Sequence, residues 1–148
     1  MILRLRSLAN WWFAVVVISL SIAPQVESSS IVTITLFGSN VTKVLVNTPI
    51  IQLCWNYSVV GIDLLREVEF ARSRQGADDY IGYADYPRNL TVVSINFPSR
   101  DRFSIKFPAT LSIHNVTAAD TGTYIFAVKL NSAHKTSSSV YLDVLGKL

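Results

Sequence analysis

Residues 111–128 read LSIHNVTAADTGTYIFAV and carry the strongest structural signal in the chain. Leu111 and Ile113 at one end, and Tyr124, Phe126 and Val128 at the other, recur at every second position, which is the period of β-strands. Between the two strands lies a polar corner that ends in Gly122, and glycine permits a tight backbone there. Next to it, the ring of Tyr124 can be buried while its hydroxyl bonds back to the corner. The stretch therefore predicts two strands joined by a tyrosine-anchored corner.

Alternating apolar residues predict further strands on both sides of this corner. The chain has 148 residues, half of them hydrophobic, which is enough for one domain with a core and a short leader. Turn-forming glycine, proline, asparagine and serine residues separate the alternating segments. The strands that we expect are 31–36, 44–46, 50–57, 68–72, 80–83, 90–97, 102–105, 110–114, 124–129 and 140–144.

The strand at 50–57 holds Cys54, the only cysteine of the chain. The apolar side chains of this strand share one face with Trp55, whereas Cys54 shares the other face with Asn56. Because strand side chains alternate strictly, we place Trp55 in the core and Cys54 on the outer face. With one cysteine, no disulfide can form within the domain, so Cys54 stays a free thiol or pairs with a second chain.

Residues 1–23 have the pattern of a secretory signal peptide. Arg4 and Arg6 precede an apolar stretch, 11–22, that is short for a membrane span. We expect cleavage between residues 21 and 28, with a retained signal anchor as the alternative, and a folded domain over 30–146.

Four Asn-x-Ser/Thr sequons follow the leader and favour passage through the secretory pathway. We therefore expect a secreted or cell-surface protein, attached to a membrane only if the chain extends beyond Leu148. The expected N-glycosylation sites are Asn40, Asn56, Asn89 and Asn115.

Composition and motifs offer no support for nucleic-acid binding or enzymatic chemistry. Of the 13 basic residues, Arg4 and Arg6 belong to the leader, and the remaining 11 nearly balance the 10 acidic ones. Neither His114 nor His134 has an evident constellation of cysteines or carboxylates around it. Nucleophile motifs, phosphate-binding glycine loops and metal-ligand spacings are missing from the sequence. We therefore expect no catalytic residue, no metal and no cofactor.

The Leu-x-Ile-x-x-Val run followed by Asp-x-Gly-x-Tyr resembles the E–F corner of variable-type immunoglobulin domains, with Tyr124 as the corner tyrosine. The resemblance covers residues 31–145 and implies an all-β, two-sheet antiparallel sandwich without an intradomain disulfide. Within that superfamily the chain is similar to the disulfide-free N-terminal domain of carcinoembryonic-antigen-related adhesion proteins. The shared segments are YIGY at 80–83, ATLSIHN at 109–115 and the corner at 120–124.

The resemblance implies structural roles for five further residues. Trp55 and Phe126 occupy the two positions at which such domains place their paired cysteines, and we expect them to pack across the sheets. Phe70 stands where these domains usually carry a core tryptophan. Arg102 and Asp120 stand where they place an ion pair at the bottom of the sandwich.

Such domains use the outward face of strands G, F, C and C′, here 140–144, 124–129, 68–72 and 80–83, for homophilic or heterophilic contacts. Two of the outward positions, Ile125 and Ala127, are apolar, which predicts an exposed apolar strip rimmed by charges. The alternative is the ordinary scatter of exposed apolar residues on any surface. The candidate partner face consists of Glu69, Ala71, Ile125, Ala127, Lys129 and Tyr141.

The function that the resemblance implies is extracellular protein recognition, in cell adhesion or in receptor-like ligand binding, with a protein partner. Two alternatives stay open: a secreted monomeric decoy or modulator of a receptor, and a structural outer domain of a longer membrane receptor.

Overall fold

The computed structural model describes residues 30–74 and 76–146, and the predicted signal peptide lies outside these ranges. Among the described residues there is no helix that is long and apolar enough to cross a membrane. Two short 3-10 helices, Arg100–Arg102 and Ala118–Asp120, interrupt a succession of strands. The strands are β1 (Ile31–Leu36), β2 (Val41–Leu45), β3 (Ile50–Val60), β4 (Leu65–Arg74), β5 (Ala77–Asp85), β6 (Leu90–Val93), β7 (Phe103–Lys106), β8 (Thr110–His114), β9 (Gly122–Leu130) and β10 (Lys135–Leu145).

The strands form two sheets that pack face to face. One sheet has four strands in the order β1-β3-β8-β7, and the other has six in the order β2-β10-β9-β4-β5-β6. All paired strands are antiparallel except β2 and β10, which run parallel. The all-β two-sheet sandwich expected from the sequence is thereby confirmed, and β4, β5, β9 and β10 are its C, C′, F and G strands.

Strand ends differ from the sequence prediction where polar residues join the ladder. The connection expected between the strands 124–129 and 140–144 is shorter, because residues 135–139 pair with residues 125–129 of β9. Conversely, the strand expected over 90–97 ends at Val93, since the chain turns at Ser94, whose carbonyl accepts a hydrogen bond from Phe97 N at 3.2 Å. Backbone hydrogen bonds to a neighbouring strand, and not side-chain alternation, decide these ends.

A cluster of aromatic rings joins the two sheets at the centre of the core. Trp55 of β3 stacks on Phe126 of β9 with ring centroids 5.3 Å apart and an angle of 15° between the planes. Phe70 of β4 meets both rings, at 6.0 Å from Trp55 and 5.4 Å from Phe126. Trp55 is buried, whereas Cys54 is partly exposed and Asn56 exposed, so the register expected for β3 is the observed one.

Replacing Trp55 with alanine should remove about 3–5 kcal/mol from the free energy of unfolding, because a large buried ring is lost and a cavity is left. Cys54→Ser on the opposite face of the same strand is the matched control, and we expect it to change stability by less than about 1 kcal/mol. Chemical denaturation of the purified domain measures both. A Trp55→Ala protein as stable as the unsubstituted one would contradict this account of the core.

Candidate interaction surface

The corner before β9 is built around the carboxylate of Asp120. Thr117 donates to Asp120 Oδ2 twice, from its backbone N at 2.8 Å and from its hydroxyl at 3.0 Å. Tyr124 donates its buried hydroxyl to the carbonyl of Asp120 at 2.9 Å. The corner therefore fixes where β9 begins and which of its side chains point outward.

Arg102 reaches the same carboxylate from the β7 side of the sandwich. Its two terminal nitrogens donate to Asp120 Oδ2 at 2.7 Å and to Oδ1 at 2.8 Å. Burial by itself would raise the pKa of Asp120, but the hydrogen bonds from Arg102 and Thr117 hold that pKa below its ordinary value. The ion pair that the resemblance implied is thus bidentate and largely shielded from water.

Arg72 is a second arginine at this end, buried where Arg102 is only partly so, and the sequence did not point to it. It donates to the carbonyls of Ala119 and Thr121, the latter at 2.7 Å, and its guanidinium lies 5.5 Å from the centroid of the Tyr124 ring. Burial lowers the pKa of Arg72. Gly122 has φ +155°, and a Cβ there would come within 3.2 Å of Arg72 Nε, which explains glycine at this position. The sequence could have indicated this burial, because Arg72 follows Val68 and Phe70 at every second position of β4, on the side that faces the core.

The outer face of the six-stranded sheet presents side chains in three rows that cross β5, β4, β9 and β10 in register. The charged row is Asp85, Glu67, Lys129 and Lys135; the middle row is Tyr83, Glu69, Ala127 and Ser137; the apolar row is Tyr80, Ala71, Ile125 and Ser139.

Two lysines converge on the acidic side chains of β4. Lys129 Nζ lies 3.0 Å from Glu67 Oε1 and 3.1 Å from Glu69 Oε1, and Lys135 Nζ lies 2.7 Å from Glu69 Oε2. Burial would raise the pKa of Glu69, but these hydrogen bonds lower it overall. Glu69 and Lys129 were expected on this face, whereas Glu67 and Lys135 were not, because both lie outside the expected strands 68–72 and 140–144.

Ala127 is a correction to the exposed apolar strip predicted from the sequence. Its exposed fraction is only 2%, although strand parity places it on the outer face. The reason is its position between Glu69 and Ser137 in the middle row, beneath the long side chains that meet at Glu69. Ile125 and Ala71 remain partly exposed, so the apolar surface lies in the row beyond Ala127, two rows away from the lysines.

Comparison with known proteins gives no match among protein-family models and none among curated sequences. Solved structures do match. The first Ig-like domain of human CD48 antigen superposes with a TM-score of 0.54 and 14% identity, covering 73% of this chain and 83% of that chain. Murine CEACAM1b superposes with a TM-score of 0.60 and 17% identity, covering 78% of this chain and 55% of that chain.

A third match comes from the crystal structure of a mouse coronavirus receptor-binding domain complexed with its murine receptor. It has a TM-score of 0.58 and 17% identity, and covers 79% of this chain and 55% of that chain. The chain has the variable-type immunoglobulin fold. It spans about half the length of the last two chains.

In this immunoglobulin sandwich the remaining residues singled out by the sequence lie apart from the three rows. Cys54 faces outward on β3, where its sulfur accepts from the Thr110 hydroxyl at 3.6 Å. His114 lies 3.3 Å from the Ser104 hydroxyl, at the end of β8. Among the described residues no group of three or more histidine, cysteine or acidic side chains could hold a metal ion.

The Asp120 ion pair makes a pH-dependent contribution to stability whose sign is fixed. Because the pKa of Asp120 is lowered in the folded domain, its contribution is present at neutral pH and is lost as the pH falls through about 4 and below. Arg102→Met removes the partner and leaves the carboxylate buried, which should cost about 3–5 kcal/mol at pH 7.

The difference in unfolding free energy between the unsubstituted domain and Arg102→Met should therefore shrink between pH 7 and pH 3. Denaturant unfolding at both pH values measures it. Arg100→Met, in the same 3-10 helix but without a bond to Asp120, is the control and should show no comparable change. A difference that stays constant or grows towards low pH would contradict the role given to this pair.

Proposed function

We propose that this chain is an extracellular recognition module that binds a protein partner through the outer face of β5, β4 and β9, in adhesion or receptor-like ligand binding. The surface that we assign consists of the apolar row, with Ile125 and Ala71 at its centre, and the charged side chains beside it. Secretion and N-glycosylation are part of the proposal and are supported by the leader pattern and the sequons.

The observation that carries the proposal is where the four sequons lie. Asn56 is exposed on the outer face of the four-stranded sheet, opposite Thr35 of β1. Asn89 lies in the turn between β5 and β6, and Asn115 follows the end of β8. Asn40 precedes β2 at the far edge of the six-stranded sheet. All four are exposed, and none belongs to the three rows, so glycans would leave these rows free for a partner.

The composition of the rows fits a protein interface. Tyr80 is exposed and pairs with Ala71, which pairs with Ile125 on its other side, so an aromatic and two apolar side chains follow one another across the face. Interfaces are enriched in tyrosine near their apolar centre and carry polar groups at their rim. The Glu69–Lys129–Lys135 cluster supplies such a rim, and its charges favour partners whose charges are complementary to them.

The structural neighbours support a protein partner as the class of ligand. One of them was solved as a receptor complexed with a coronavirus receptor-binding domain. At 17% identity this supports the fold and the kind of contact, but it says nothing about which protein this chain binds.

Ile125→Glu should abolish partner binding while leaving secretion and stability nearly unchanged, because a charge replaces the centre of the apolar row. Thr33→Glu is the matched control, since it places the same charge on the outer face of the other sheet, where Thr33 is an exposed strand residue. The glycosylated protein, displayed as tetramers, is tested against an array of cell-surface ectodomains that includes its own.

We expect the unsubstituted and Thr33→Glu tetramers to bind the same ectodomain and the Ile125→Glu tetramer to bind none. If Ile125→Glu keeps its binding, or if Thr33→Glu loses it as well, the assignment to this face is wrong. Binding to no ectodomain by the unsubstituted tetramer would contradict the recognition role itself.

A further inference from the structure

An apolar stripe runs along the outer side of β2 and β10, beyond the rows assigned to a partner. Val41 lies beside Tyr141, and Leu45 beside Leu145, in the parallel register of the two strands. All four side chains are exposed, and the pair Lys43 and Asp143 separates the upper two from the lower two. Paired apolar side chains that are exposed at the end of a sheet are a surface on which another chain can pack unless something covers them.

The stripe also borders a sheet edge. Within residues 30–74 and 76–146, β2 is the last strand of the six-stranded sheet and pairs with β10 alone. An edge strand with apolar side chains offers a template on which another chain can add, and proteins usually obstruct such edges. β2 has one charged side chain, Lys43, and no proline or bulge among its five residues.

One sequon lies directly at the upper end of this stripe. Asn40 is exposed and immediately precedes Val41, and its carbonyl accepts a hydrogen bond from Tyr141 N at 2.9 Å. A sugar attached to Asn40 therefore starts one residue from Val41 and one backbone hydrogen bond from Tyr141. Among the four sequons, Asn40 is the one joined by a hydrogen bond to the backbone of this stripe.

We propose that an N-linked glycan on Asn40 packs over Tyr141 and Val41 and obstructs the β2 edge. Pyranose rings have apolar C–H faces that suit the face of an aromatic ring, while their hydroxyls stay in water. The inference rests on the proposed secretory route and goes beyond the proposed function. It assigns Tyr141 to the glycan, which limits the partner surface to the rows on β5, β4 and β9.

Hydroxyl-radical footprinting tests this cover with an internal reference. In the polypeptide alone Tyr141 is 42% exposed and Tyr80 is 43% exposed, so the two rings should oxidise at similar rates when neither is covered. The glycosylated protein from a secreting host is compared, at a concentration where it is monomeric, with Asn40→Gln and with Asn56→Gln. The latter removes a glycan from the opposite sheet.

We expect the ratio of Tyr141 to Tyr80 oxidation to be close to unity in Asn40→Gln and several-fold lower in the unsubstituted protein and in Asn56→Gln. Enzymatic removal of the glycans from the folded protein should restore the higher ratio, which guards against a folding defect of Asn40→Gln. Glycopeptide mass spectrometry establishes occupancy.

An unoccupied Asn40, or an occupied Asn40 with the same ratio in all three proteins, would overturn the proposal. Either result leaves the partner surface testable, because the Ile125→Glu binding experiment does not depend on Asn40. Conversely, a protected Tyr141 in a protein that binds no ectodomain would uphold the glycan cover and reject the recognition face.

Discussion

The stack of Trp55 on Phe126 is the contact on which the rest of the sandwich depends. Domains of this fold usually join their two sheets at these positions by a disulfide, whose removal costs about 2–5 kcal/mol. Here the two rings lie 5.3 Å apart and nearly parallel, with Phe70 against both. Aromatic pairs contribute about 0.5–1.5 kcal/mol beyond the burial of their surface. The core therefore does not depend on a disulfide, and Cys54 lies outside it.

The same contact determines what the outer face presents. Because strand side chains alternate, placing Phe126 and Phe70 inward places Ile125 and Ala71 outward on neighbouring strands. The Asp120 corner acts on the same register from one end of β9, through Tyr124 and Arg102. Core, corner and candidate interface are therefore consequences of one alignment of β4 with β9. A slip of one residue would exchange the inward and outward side chains of the slipped strand.

Alternation along β3 predicted the inward Trp55. The sandwich and the contact of Arg102 with Asp120 were implied by the resemblance that the corner motif carries. Exposure could not be predicted in the same way. Ala127 has the parity of a surface residue, yet it is buried because the side chains of Lys129 and Lys135 meet Glu69 beside it. Such cover depends on the rotamers of long side chains from three strands, which no single-strand pattern contains. Arg72 is the reverse case. Alternation along β4 predicts that its side chain points inward, but a charged residue is not expected in a core.

The most direct test of this account is a double-mutant cycle on Trp55→Leu and Phe126→Leu, with the unfolding free energy measured for each variant and for the pair. Leucine keeps both sites apolar, so the coupling energy isolates the contact between the rings. The account predicts a favourable coupling of about 0.5–1.5 kcal/mol or more. Effects that add to within about 0.3 kcal/mol would contradict it, since the two sheets would then be held together by general burial and not by this stack.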